Sequence, residues 1–141
     1  MTLINLMDAD PIYTAIFRPD VHLLYVNRWL KARGLPETTG LDLPDLGILA
    51  STHMPIAAGF IRTAEGGYGI LDSFVTDPEA LPSDRDQCLD AVVKALLDVA
   101  PSLKISRMLA FSADKNTMSR AKKFGFTIQP HVFSTLSLGQ E

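Results

Sequence analysis

The sequence predicts an α/β fold, an α+β layer arrangement built on one mixed sheet. Three strand-like runs, Leu46–Ser51, Ile56–Ala64 and Tyr68–Thr76, follow one another with little more than turns between them, as antiparallel neighbours do. The third run leads into an amphipathic helix and then another strand, Arg107–Ala113, which is the pattern of a crossover joining two parallel strands. Hydrophobic residues make up 47% and charged residues 21% of the 141 positions, a balance that lets one domain spanning residues 1–141 bury a core.

Each element has a local cause. Thr2–Met7 has the apolar character of an opening strand. Asp8-Ala9-Asp10-Pro11 offers a cap followed by proline, which predicts a short helix through Phe17. Pro19-Asp20 restarts a helix whose Val21, Leu24, Tyr25 and Ala32 recur near helical spacing; Trp29 and Leu30 broaden the stripe and Gly34 stops it. Leu35–Leu43, rich in Pro, Gly, Thr and Asp, reads as a surface loop. Glu65-Gly66-Gly67 reads as a hairpin turn, and with Gly69 it does not meet the G-x-G-x-x-G nucleotide pattern. Ser83 is an expected N-cap, with Asp84 and Asp86 complementing the dipole of the helix it opens. That helix carries Leu89, Val92, Val93, Leu96, Leu97 and Ala100 as a wide apolar stripe, and Pro101 ends it. After the strand Arg107–Ala113 comes a short helix from Asp114 to Phe124, then Thr127–Gln129 and Val132–Leu138 as a closing antiparallel pair. The order is β-α-α-β-β-β-α-β-α-β-β.

Composition excludes several functions. A net charge of −3 provides no field favouring nucleic acid or an anionic membrane. Lys115, Arg120, Lys122 and Lys123 form a local basic cluster, either a solvated helix face or a contact for a phosphate or acidic partner. Cys88 is the one cysteine, so no intramolecular disulfide forms and a reducing, cytoplasmic location is expected. His22, His53 and His131 lack metal-site spacing, and no run is long and apolar enough to span a bilayer or open a secretion signal. G-x-S-x-G, P-loop and H-E-x-x-H motifs are all missing.

Leu71-Asp72-Ser73-Phe74-Val75-Thr76-Asp77-Pro78, the amphipathic helix after it, and Lys122-Lys123-Phe124-Gly125-Phe126 together carry a likeness. In this order and spacing the chain resembles the GNAT (GCN5-related) N-acetyltransferase superfamily along nearly its whole length. The resemblance implies that the strand ending at Thr76 and its parallel neighbour splay apart to receive acetyl-CoA. Phe74, Val75 and Thr76 would then supply backbone contacts to the pantetheine arm. The helix start, from Ser83 through Asp84, Arg85, Gln87 and Cys88 to Leu89, would face the pyrophosphate, as exposed N–H groups and the helix dipole favour phosphate. Asp72 stands where many such proteins carry a carboxylate that takes a proton from the amine; its alternative is a salt bridge on an open sheet face. The acceptor would be a small-molecule or protein amine, and Val132–Leu138 a dimerisation edge.

The family's pattern is altered at chemical positions. Its Gln/Arg-x-x-Gly-x-Gly/Ala loop falls on Asp84, Gln87 and Leu89, with Arg85 as the cation if the register slips by one. Its Asn near the start of the fourth helix falls on Asp114, with Asn116 two residues on, and simple helix capping is the structural alternative for these two. Its proton-donating Tyr falls on Ala121, which leaves Tyr68 and Ser112 as the nearest polar candidates by topology. Two functions therefore stand: acetyl transfer from acetyl-CoA to an amine, or a GNAT-like scaffold that has lost catalysis and binds another macromolecule, such as a bacteriophage accessory protein.

Overall fold

A computed structural model describes residues 10–112 and 114–129. Among these, five strands form one sheet: β1 (Tyr13–Ile16), β2 (Leu46–Ser51), β3 (Pro55–Thr63), β4 (Tyr68–Thr76) and β5 (Arg107–Ala110), in that spatial order. The first three pairings are antiparallel and β4–β5 is parallel, so the sheet is mixed as the sequence predicts. Helix α1 (Pro19–Ala32) joins β1 to β2, and α2 (Pro82–Val99) joins β4 to β5. Helix α3 (Lys115–Lys123) follows β5. The chain divides into two compact units, Met1–Phe111, which holds the sheet with α1 and α2, and Ser112–Glu141, which holds α3.

The sheet carries separate apolar layers on its two faces because side chains alternate along a strand. On one face Ile48, Ala50, Ala57 and Ile61 pack with Cys88, Val92 and Leu96 of α2. On the other, Leu49, Ala58, Phe60 and Val75 pack with Val26 and Trp29 of α1, and with Phe17 and Leu43. Val92 and Leu96 are fully buried, each stabilising the fold by about 1.5–3 kcal/mol. Just past the end of β1, Phe17 meets Phe60 of β3 edge to face over Gly47, with ring centroids 4.9 Å apart.

The strand boundaries at β2 and β4 agree with the sequence reading, and the turn between β3 and β4 is a short 3₁₀ segment, Glu65–Gly67, with Gly66 and Gly67 at φ of +76° and +78°. Three expectations need correction. The helix expected through Phe17 is instead strand β1, because Tyr13, Thr14 and Ile16 pair with the free edge of β2, a tertiary contact that overrides the capping signal. Ser83 is not the N-cap of α2: Leu81 holds that place and Pro82 is the first helical residue, its fixed φ starting the helix two residues earlier. Thr127–Gln129 is irregular rather than a strand. The Thr2–Met7 strand and the Val132–Leu138 edge lie outside the described residues.

Candidate functional site: an open strand edge beside a helix start

Strand β5 stops short of its partner. The parallel register runs Tyr68↔Arg107 to Leu71↔Ala110, so among the described residues β4 continues from Asp72 to Thr76 with β3 on one side and no strand on the other. The register against β3 also slips here. Ala58 faces Val75 but Phe60 faces Asp72, leaving one extra residue on β4, and Ser73 sits in the left-handed region at φ +57°. Gly59 lies opposite this bulge. An added Cβ there would stand 2.7 Å from the Phe74 ring, so the glycine is the seat on which that ring rests.

Backbone direction follows from the ladder. The Asp77 N–H donates to the Ile56 carbonyl at 2.8 Å. Alternate residues of an antiparallel pair direct both backbone groups to the same neighbour, so Val75 also faces β3 while Phe74 and Thr76 face the open side. Of these groups the Thr76 carbonyl is taken by Arg33, and the strand leads on through Asp77–Leu81 into α2. No side chain caps α2, Pro82 has no N–H, and the first intrahelical bond runs from Arg85 N–H to Leu81 C=O at 3.0 Å. The donors at the helix start are therefore those of Leu81, Ser83 and Asp84.

Side chains around this opening differ in their fitness for chemistry. Asp72 is on the α1 side of the sheet, opposite Phe60. Its Oδ2 accepts from Arg62 Nε at 2.7 Å, and its Oδ1 from the Ser73 hydroxyl at 3.3 Å. The salt-bridge alternative for Asp72 is thus realised, and Arg62 Nη2 also reaches the Asp42 carbonyl at 3.5 Å. Thr76 accepts from Arg33 Nη2 at both its carbonyl oxygen, 3.0 Å, and its Oγ1, 2.7 Å. Arg85 turns back to donate to the Pro78 carbonyl at 3.1 Å. Ser83 and Gln87 are exposed and Asp84 is half-buried.

Cys88 and Leu89 do not present side chains to a ligand at the helix start. Cys88 is fully buried in the α2-side layer and Leu89 packs against it. Burial pushes the Cys88 thiol above its ordinary value, and Asp84 adds to the shift. Tyr68 also stands apart. It begins β4 at the zipped end, where Arg107 donates to its hydroxyl at 3.2 Å and lies over its ring. At about 3.3 Å of rise per residue it is roughly 13 Å along the strand from Asp72.

The second unit is described by itself. Asp114 is the N-cap of α3, its Oδ2 accepting from the Thr117 N–H and hydroxyl, both at 2.9 Å. The Thr117 N–H, then its hydroxyl, hold the Asp114 carboxyl below its ordinary value. Ser112 Oγ accepts from the Asp114 N–H at 3.0 Å, and Asn116 lies in the first turn. The Lys-Lys-Phe-Gly-Phe run is a helix stop. Gly125, at φ +93°, donates to Lys122 C=O, and Phe126 donates to Ala121 C=O, the paired bonds of a Schellman motif. The capping role of Asp114 is thereby explicit.

Arg33 and Arg62 escaped the sequence reading for different reasons. Arg62 was within reach of it: a hairpin turning at Glu65–Gly67 brings Arg62 diagonally beside Asp72. Arg33 lies 43 residues from Thr76, and no local pattern links them. Among the described residues no group of three or more His, Cys, Asp or Glu could hold a metal, and no helix is long and apolar enough to cross a membrane.

The described residues thus combine a mixed sheet whose fourth strand outruns its parallel neighbour with an uncapped helix start after it. Comparison with solved structures shows the fold: it is that of the GNAT acetyltransferases. A protein of Thermus thermophilus superposes with a TM-score of 0.69 at 16% identity, covering 92% of this chain and 99% of that one. A GNAT-family acetyltransferase of Streptococcus pneumoniae TIGR4 gives 0.65 at 14% identity, covering 93% and 100%. An aminoglycoside N-acetyltransferase in complex with CoA gives 0.61 at 14%, covering 92% and 97%. No protein-family model matches the sequence, and no curated protein matches it.

Proposed function

We propose that this chain is a GNAT-class acyltransferase that takes acetyl-CoA and delivers the acetyl group to an amine of a small molecule or protein. The observation that carries this reading is the run Asp72–Thr76, a strand edge with no β5 partner, leading directly into the uncapped start of α2. An extended amide-bearing arm can add to such an edge, and a phosphate suits the N–H groups at the helix start. The acids Asp84 and Asp86 oppose that fit, which makes the backbone edge the stronger half of it.

When bound, acetyl-CoA would supply an activated acyl group. The N–H groups of Phe74 and Thr76 flank Val75 on the open edge and would polarise the thioester carbonyl. The neutral amine would form its new bond to the acetyl carbon as the carbon–sulfur bond breaks. Asp72 Oδ2 would accept the amine proton after turning away from Arg62, and the departing thiolate would take its proton from water, since Ala121 has none to donate. A calorimetric titration with acetyl-CoA, paired with thiol release against a panel of amines, tests the reading. Heat of binding and thiol release that falls in Asp72→Asn are expected. Neither heat nor a thermal shift at millimolar acetyl-CoA would overturn it.

A second reading is a scaffold that holds the cofactor or a macromolecular partner without transfer. It is favoured by the Arg62 guanidinium held 2.7 Å from the Asp72 carboxylate and by alanine at position 121. Acetyl-CoA binding without thiol release from any amine would select it.

A further inference from the structure

The strand-to-helix connection is poor in positive charge. From Thr76 to Gln87 it carries Asp77, Glu79, Asp84 and Asp86 but only Arg85 as a base. Arg85 is turned back onto the Pro78 carbonyl, and Asp77 Oδ1 accepts from the Glu79 N–H at 2.9 Å. A polyphosphate at this helix start would meet repulsion that two or three N–H donors do not offset. A cation has to come from elsewhere in the fold.

Arg33 is positioned to be that cation. It follows α1 directly as its C-cap, and its side chain crosses to the far end of β4. Thr76 stands opposite Ala57, whose side chain belongs to the α2-side layer, whereas Arg33 comes from the α1 side. To donate to both the Thr76 carbonyl and its Oγ1, the guanidinium reaches round the open edge of β4. Both bonds are made from Nη2, so the planar fork keeps Nε and Nη1 clear of Thr76. The Ala80 N–H donates to the Asp77 carbonyl at 3.3 Å, a turn in the short connection from Thr76 to α2.

We infer that Arg33 is a specificity-determining residue of the acetyl-CoA site: a guanidinium supplied by α1 that engages the cofactor's phosphates and replaces the cation and glycines missing from the start of α2. Thr76 parks this side chain in the mouth of the opening, so less of its rotamer freedom is lost when phosphate arrives. The inference rests on the acetyl-CoA reading given above.

Calorimetric titration of CoA into the whole protein at several salt concentrations tests it, with Arg33→Ala, Arg33→Lys and Thr76→Val alongside wild type. Arg33→Ala should weaken CoA binding about tenfold at low salt, with the deficit shrinking as salt rises, because a lost charge–phosphate contact is screened. Arg33→Lys should recover part of the loss, and Thr76→Val, which removes the Oγ1 acceptor that positions Arg33, should weaken CoA binding by less than Arg33→Ala does. Unchanged affinity in Arg33→Ala, or a deficit equal at every salt concentration, would overturn the inference; the second result would mean that Arg33 merely ties α1 to β4. If wild type itself fails to bind CoA, the acetyl-CoA reading falls first and takes this inference with it. A wild type that binds normally beside an unaffected Arg33→Ala sinks the role of Arg33 alone.

Discussion

Replacing Gly59 by alanine places a methyl group against the ring that the β4 bulge holds in position. The new Cβ would stand 2.7 Å from Phe74 Cε2 and 2.8 Å from both Cδ2 and Cζ. Comfortable carbon contacts lie at about 3.5–4.0 Å, so the ring must retreat by roughly 1 Å. Retreat is resisted, since Phe74 packs against the α2-side layer and follows Ser73 at φ +57°. Overpacking of this kind costs about 1–3 kcal/mol. Alanine in a strand returns about 0.5–1 kcal/mol relative to glycine, leaving a net loss on the order of 1–2 kcal/mol. For a chain of this size that corresponds to a midpoint lower by roughly 3–10 °C. Thermal and urea unfolding followed by circular dichroism would measure it, with Phe74→Leu and the double variant completing a cycle. Removing the ring should relieve the clash, so the double variant should be more stable than the sum of the singles predicts. A neutral Gly59→Ala, or strict additivity in the cycle, would refute the seat-and-ring account of the bulge.

Gly47→Ala should be more damaging, about 3 kcal/mol or beyond, because the methyl would land in the Phe60 ring, which is 1% exposed, with Phe17 Cβ 3.1 Å behind; loss of cooperative urea unfolding or of soluble expression is the readout. Cys88 should resist an aromatic disulfide reagent in the native state and react only at the rate of opening. Its raised folded-state value makes stability fully present below the ordinary thiol value near 9.0 and lost as pH climbs beyond it, a fall that Cys88→Ala should abolish. Asp114→Ala should lower the hydrogen-exchange protection of α3, with Asp114→Ser largely sparing it. The lowered carboxyl means that this contribution is present above pH 3.8 and fades as pH falls through the folded-state value.

Much of the fold was legible because its signals are local. Tyr68–Thr76 is apolar between a glycine turn and proline, and β4 has those limits. The helix after it was found from its stripe, but the stripe includes Cys88, buried with Val92 and Leu96 at four-residue spacing. Reading Cys88 as cofactor-facing missed that periodicity. The β1 segment misled for the opposite reason, since Asp10-Pro11 is a sound cap signal and only the vacant edge of β2 decides the outcome. The candidate site was legible in its backbone, where Asp72–Thr76 could be placed from strand order. Its side-chain chemistry was not, because the contacts that define it, Arg62 on Asp72 and Arg33 on Thr76, depend on register and on long-range closure.

The double-layered sheet bears on how such a chain can change over time. Neighbouring positions of β3, such as Ala57 and Ala58 or Phe60 and Ile61, serve opposite layers. Substitutions that reshape the layer under α1 therefore leave the layer seating α2 intact. The layer on one face of the sheet is free to be repacked while the layer on the other face keeps its fit.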